Sequence, residues 1–432
     1  MRNRGRRLFI YSEILGVAAL LVFVVGGAPS IHRSVSPEAA DAPWAAVPGW
    51  NDPAGGPGAS GGSTTTNSVA AAAGPDRVLR ALLYNVPPTI DWRCTRDVTA
   101  AIQSWINSRP NGSTISFRPN ACYRTEGSIQ VEGRKNLIIE GNGATFRQTT
   151  TGDRNRVGWR IKLSENITLR NIKVDGPNTP WAYVTELEGQ HGVGVNGSRN
   201  VVVSGISVRE TYGDCVMVSR GGNGDGSIGS DGVTVRNSTC QNIGRQGMSV
   251  TMGRNVVLTG NQLNNVRRTV FDLEPNLPGQ YAENVTISNN RVGFYTHFFV
   301  GSGGAGCNVR NITVRGNDSD GGGIGIKVAA NMTCHKSGFV VEGNTFRMAV
   351  GLHWTGWAAF QDTDNVVVRG NRILTDRPMP GVKFQDAGGS LVVEGNHFPG
   401  ACLAFVTYDM DPSVVLAANN VLNPCPDGPL SR

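Results

Sequence analysis

The sequence predicts an all-β chain, a single-stranded right-handed parallel β-helix of about 11 coils, and three observations predict it. A short phrase of alternating aliphatic residues and an Asn- or Gly-containing turn recurs from NLIIEGNGATF at Asn136 to SVVLAANNV at Ser413, about 28 residues apart. Each repeat has room for two or three strands of four or five residues and none for a helix. The 57 glycines and a charged fraction of only 17% argue against a coiled coil or helical bundle. A hairpin fold would not repeat one phrase at this interval, whereas a coil that returns and stacks on itself would.

In chain order, residues 1–28 run from basic (MRNRGRR) through apolar (ILGVAALLVFVV) to small residues, the pattern of a signal peptide or an N-terminal membrane anchor. Residues 29–75 are rich in Pro, Gly, Ser, Thr and Ala without an apolar period, which predicts a disordered linker. Residues 76–432 form the β-helix domain, opened by a short amphipathic helix over 97–107 with Ile102, Trp105 and Ile106 on one face.

Six residues after most coil starts stands an asparagine: Asn142, Asn261, Asn290, Asn317, Asn344, Asn371, Asn396 and Asn419. Stacked asparagines tolerate left-handed turns and can hydrogen-bond from coil to coil. Ile172, Ile206 and Ser238 interrupt this ladder. The N-x-S/T matches, such as those at Asn166, Asn284 and Asn311, are repeat grammar before they are glycosylation sites.

Eight cysteines fit an oxidising compartment, so the domain is expected outside the cytoplasm, secreted or anchored to the outer face of the membrane. Cys94–Cys122 and Cys307–Cys334, each about one coil apart, are expected disulfides. The net charge of +7 is too dispersed for a nucleic-acid partner and tilts toward acidic ligands. Membrane contact is expected only through the N-terminal segment, and the oligomeric state is open.

The stretch Asp97-Val98-Thr99-Ala100-Ala101-Ile102-Gln103, followed by a strand, a Pro-containing turn and Tyr123, resembles the N-terminal cap of the pectate-lyase-like β-helix superfamily. With the coils, the resemblance covers residues 80–432. It implies a polysaccharide ligand on the outer face of one sheet, but the superfamily includes lyases, hydrolases, epimerases and non-catalytic spikes and adhesins. Diagnostic phrases of polygalacturonases are altered here (Gly213-Asp214-Cys215, Gly244-Arg245-Gln246-Gly247, Gly325-Ile326-Lys327), and no pectate-lyase phrase matches.

On that face, Val216, Val218, Met248, Val250, Phe271 and Leu273 alternate inward, so Asp272 and Glu274 share the outward side, two residues apart. His191, Asp214 and Gln246 fall at equivalent positions in successive coils and are expected to form a hydrogen-bonded line toward Asp272. Asp214, Asp272, Glu274, Arg245 and His191 are the candidate catalytic residues. Gln246, Arg268, Lys327, Tyr212 and His353 are the candidate substrate-binding residues, and Trp181, Tyr183, Phe294 and Tyr295 are candidate sugar-stacking rings. Two carboxylates suit hydrolysis of an acidic polysaccharide, which requires no cofactor. β-Elimination, with Arg245 or His191 as base and calcium as a possible cofactor, stays open, as does a non-catalytic glycan-binding or adhesin-like role. No metal ligands are assigned.

Overall fold

A computed structural model describes residues 82–222, 228–304, 306–329, 333–347, 357–375 and 380–424. The expected leader (1–28), the expected linker (29–75) and His353 lie outside the described residues. Among the described residues, no helix is long and apolar enough to cross a membrane.

All strand-to-strand ladders are parallel, and each strand pairs with its equivalent one coil on, giving a β-solenoid of about 12 turns. Registers show why the repeat phrase builds a core. Leu137, Ile167, Val201, Val233, Val256, Val285, Ile312, Phe339, Val366 and Leu391 form one column of register partners, all buried. A second column runs Trp159, Val193, Val216, Met248, Phe271, Phe299, Ile326, Ala358 and Val382. Each fully buried aliphatic or aromatic side chain contributes roughly 1.5–3 kcal/mol of apolar transfer free energy, so the columns bind coil to coil. The strand bearing this second column is the one that displays the candidate site.

The helix forms at Thr99–Asn107, with Ile102, Trp105 and Ile106 buried. Gln103 fixes it to the neighbouring strand, donating to the Gln130 carbonyl (2.8 Å) and accepting from the Gln130 amide (2.7 Å).

The asparagine ladder runs through Asn261, Asn290, Asn317, Asn344, Asn371 and Asn396, each after the first accepting the previous rung's amide groups at 2.8–3.0 Å. Its last rung is Asn420, not the expected Asn419. A 3-10 turn at Pro412–Val414 precedes the strand, so Val415 rather than Val414 pairs with Leu391 and the rung moves by one. Asn419 instead takes a left-handed turn position (φ 55°). Asn142 bonds back to Ser116 and Phe117, and Ile172 at the next rung gives its amide groups no side-chain acceptor.

A second ladder joins coil-start asparagines at left-handed φ. Asn166 donates to Asn136, Asn200 to Asn166, Asn284 to Asn255 and Asn311 to Asn284. The side-chain amides of Asn166, Asn284 and Asn311 are thus already engaged.

Cys94–Cys122 and Cys307–Cys334 are bonded as expected, and Cys215–Cys240 forms a third inter-coil disulfide. Cys402 is also disulfide-bonded, while Cys425 lies outside the described residues. Such cross-links fit an extracellular protein.

Candidate functional site

Four coils build the site. His191, Asp214 and Gln246 stack at one level: the Gly192 amide donates to the Asp214 carbonyl and the Cys215 amide to the Gln246 carbonyl. Ser249 and Asp272 pair one step further along the strands, and Glu274 follows Asp272 by two residues on the same side. Close approach at the turns requires glycine. A Cβ on Gly244 would stand 2.5 Å from Asn178 Nδ2 and 2.6 Å from the Ala182 carbonyl, and one on Gly213 would stand 2.5 Å from the Glu188 carbonyl. These two glycines let the 176–190 loop lie against the site.

The carboxylates gather around one guanidinium. Arg245 Nη1 lies 3.0 and 3.1 Å from the two oxygens of Asp214, Nη2 lies 2.7 Å from Glu274 Oε1, and Nε lies 3.3 Å from Glu188 Oε2. Asp214 is fully buried and also accepts from Ser249 Oγ (2.6 Å) and from the Gln246 amide (3.3 Å). Gln246 bridges the coils: its side-chain carbonyl accepts from Arg245, and its side-chain NH2 donates to Asp272 Oδ2. Asp272 Oδ1 is buried with no hydrogen-bond partner.

The electrostatics follow from this packing. Burial, reinforced by the charges of Glu274 and Asp214, lifts Asp272 well above the usual carboxylate range against the opposing pull of Arg245 and Arg268. Burial also raises Glu274, although Arg245 counters it. Arg245, although desolvated, is held charged above its ordinary value by Asp214 and Glu274. His191 is buried and held below its ordinary value by desolvation, with Asp214 pulling the other way. Its Nδ1 accepts the Asp214 amide (2.9 Å), so the ring is neutral with its proton on Nε2.

The expected line from His191 through Asp214 and Gln246 to Asp272 is therefore continuous in hydrogen bonds. Asp272 is more buried than an outward strand position implies, at 5% exposure, because Gln246 and Arg245 fold over it. Gln246 has both ends of its amide committed to Arg245 and Asp272. Tyr212 is half-buried beside this level. Lys327 lies two coils beyond Asp272, through Val300, which puts it ~10 Å along the axis. Tyr295 is not a surface ring: it is buried, with its hydroxyl 2.7 Å from Ser319 Oγ, because it opens the strand Tyr295–Gly301 on the inward side.

Arg268 leaves the carboxylates and lies over the Tyr183 ring, 4.8 Å from its centroid, while Tyr183 Oη donates to Glu188 (3.0 Å). Sequence reasoning missed Ser249 and Glu188. Ser249 carried a signal, since its strand aligns with that of Asp272; Glu188 sits in an aperiodic loop and carried none.

Among the described residues, no three His, Cys, Asp or Glu side chains are grouped to hold a metal ion. The donor set explains this locally: the acidic side chains that a cation would share converge on Arg245 instead.

No protein-family model matches this chain, and no curated protein matches it in sequence. Solved structures do match its fold. The tailspike protein of E. coli bacteriophage HK620, solved with a pentasaccharide, is 13% identical with a TM-score of 0.53, over 79% of this chain and 67% of that one. PfbA, a surface adhesin of Streptococcus pneumoniae, is 12% identical with a TM-score of 0.51, over 80% of this chain and 92% of that one. A family 28 exopolygalacturonase of Yersinia enterocolitica is 12% identical with a TM-score of 0.49, over 80% of this chain and 79% of that one. The fold is the right-handed parallel β-helix, and the fold is what these likenesses show.

Proposed function

We propose that this is an exported glycoside hydrolase that cleaves an acidic polysaccharide at Asp272 and Glu274. The observation that carries this reading is the asymmetric carboxyl pair. Asp272 is buried with one oxygen free of partners and its pKa raised, whereas Glu274, two residues on, is partly exposed and clamped by Arg245. Such a pair favours the proton on one carboxyl and the charge on the other, which is the division of labour that glycosidic hydrolysis needs.

In this mechanism Asp272 gives its proton to the glycosidic oxygen as the bond to the anomeric carbon breaks. Glu274 takes a proton from a water whose oxygen bonds to that carbon from the opposite face. Solvent then resets both groups. At strand spacing the two residues are ~6.6–6.8 Å apart at Cα; carboxyl groups held at a like separation fall within the ~6.5–9.5 Å between carboxyls of inverting enzymes, so inversion is expected. Asp214, Ser249 and Gln246 act as positioning residues. Elimination finds less support: Arg245 is locked as a cation between carboxylates and His191 is buried with Nδ1 occupied, so neither is a free base.

The 5% exposure of Asp272 favours a second reading, glycan binding without cleavage. The two are separated by incubating the protein with polygalacturonate, alginate and chondroitin sulfate. New reducing ends that disappear in Asp272→Asn support hydrolysis; tight binding without new ends supports the binding-only reading.

A further inference from the structure

On the outer surface, several arginines pair with a carboxylate one coil away: Arg170 with Glu140, Arg209 with Asp175, Arg254 with Asp231, Arg310 with Glu283 and Arg369 with Glu342. Arg267 and Arg268, beside the carboxyl pair, do not. Among the described residues neither has a carboxylate within ion-pair distance, and instead each guanidinium lies over an aromatic ring. Arg267 is 5.3 Å from the Trp181 ring centroid and Arg268 is 4.8 Å from that of Tyr183.

The backbone is shaped for this. The strand Gln262–Leu273 shifts register against Tyr295–Gly301 between Val266 and Thr269, and a bulge of this kind re-aims side chains. The bulge is pinned on both sides: Thr296 Oγ1 donates to the Arg267 carbonyl (2.8 Å) and the Arg268 amide donates to the Arg245 carbonyl (3.0 Å). The rings are pinned as well. Trp181 donates its indole N–H to the Ile243 carbonyl (3.0 Å) and meets Phe294 edge-to-face at 5.7 Å, while Phe294 remains 51% exposed.

An exposed ring beside two uncompensated guanidiniums matches a sugar that carries an anionic group: the ring face takes the C–H surface and the guanidinium takes a carboxylate or sulfate as a bidentate partner. We infer that Arg267, Arg268, Trp181 and Phe294 form a subsite for an anionic sugar unit next to the scissile bond. This rests on the hydrolase reading for its neighbour but has its own readout. Beside the carboxyl pair, Arg267 and Arg268 are thus unspent on carboxylates, whereas Arg245 is engaged by Asp214 and Glu274.

The test is calorimetric binding to full-length protein carrying Asp272→Asn, so that ligands stay intact. The probes are a hexamer of galacturonate, a sulfated chondroitin hexasaccharide and a neutral glucan hexamer. Losing a charge-assisted pair worth ~1.5–3 kcal/mol should weaken anionic binding at least about tenfold in Arg267→Gln and in Arg268→Gln, with unchanged thermal midpoints. Whether the uronate or the sulfated probe responds identifies the anion. Unchanged affinity in both variants, or a neutral hexamer bound as tightly as the charged ones, overturns the subsite. Anionic binding that responds to the arginines in a protein that yields no new reducing ends would refute the hydrolase and leave the subsite standing.

Discussion

Arg245 Nη2 lies 2.7 Å from Glu274 Oε1, across one coil of the helix. The same guanidinium grips Asp214, one coil away on the other side, so a single cation ties three layers of the solenoid together at the proposed site. Arg245→Met should therefore strand a fully buried Asp214 carboxylate and cost about 3–5 kcal/mol, read as a lower urea midpoint. The double variant Asp214→Asn with Arg245→Met should recover part of that loss. A loss in the double variant equal to the sum of the losses in Asp214→Asn and Arg245→Met alone would show that Asp214 and Arg245 are not energetically coupled.

Asp272→Asn should lower kcat by ~10²–10⁴-fold on a polysaccharide, the usual worth of a positioned acid. The deficit should shrink on an aryl glycoside whose leaving group needs no protonation. Glu274→Gln should be as damaging on both substrates, because water activation is still required. A Glu274→Gln variant rescued by the better leaving group would reverse the assignment of acid and base.

Asp272 is raised in the folded state, so folding takes up a proton that the unfolded chain releases. Its contribution to stability is complete below the ordinary carboxylate value and is lost as pH rises through the folded value. His297 is the opposite case: burial and the charges of Lys327 and Arg268 depress it to about 4, so its contribution is complete above the ordinary imidazole value and is lost as pH falls. Asp272→Asn should accordingly gain thermal midpoint relative to the parent as pH rises above the ordinary carboxylate range. A difference independent of pH would place the Asp272 proton elsewhere.

Within the asparagine ladder, Asn317 accepts from Asn290 and donates to Asn344 and the Ile287 carbonyl, all buried. Asn317→Ala should cost about 3 kcal/mol, since each orphaned buried group costs ~1–3 kcal/mol. At the end of the ladder, Asn420→Ala should destabilise and Asn419→Gly should be nearly neutral, because Asn419 only fills a left-handed turn (φ 55°). Thermal melts of the three variants decide it.

The fold was legible because β-strand alternation and coil length are both written in the residues: Val216, Met248 and Phe271 stack wherever their phrases align. The line from His191 to Gln246 was legible for the same reason. Side-chain choices were not. Nothing in the spacing says that Arg245 turns to Glu274 while Arg268, in the bulge between Val266 and Thr269, turns to Tyr183. The Asn419 misplacement has an equally local cause, one residue spent in the Pro412–Val414 turn.

The most direct test of the carboxyl-pair account is proton NMR of the first product released from an acidic polysaccharide by the full-length protein. The account predicts a new reducing end with inverted anomeric configuration, absent in Asp272→Asn. Retained configuration, an unsaturated non-reducing end, or the same product from Asp272→Asn would contradict it.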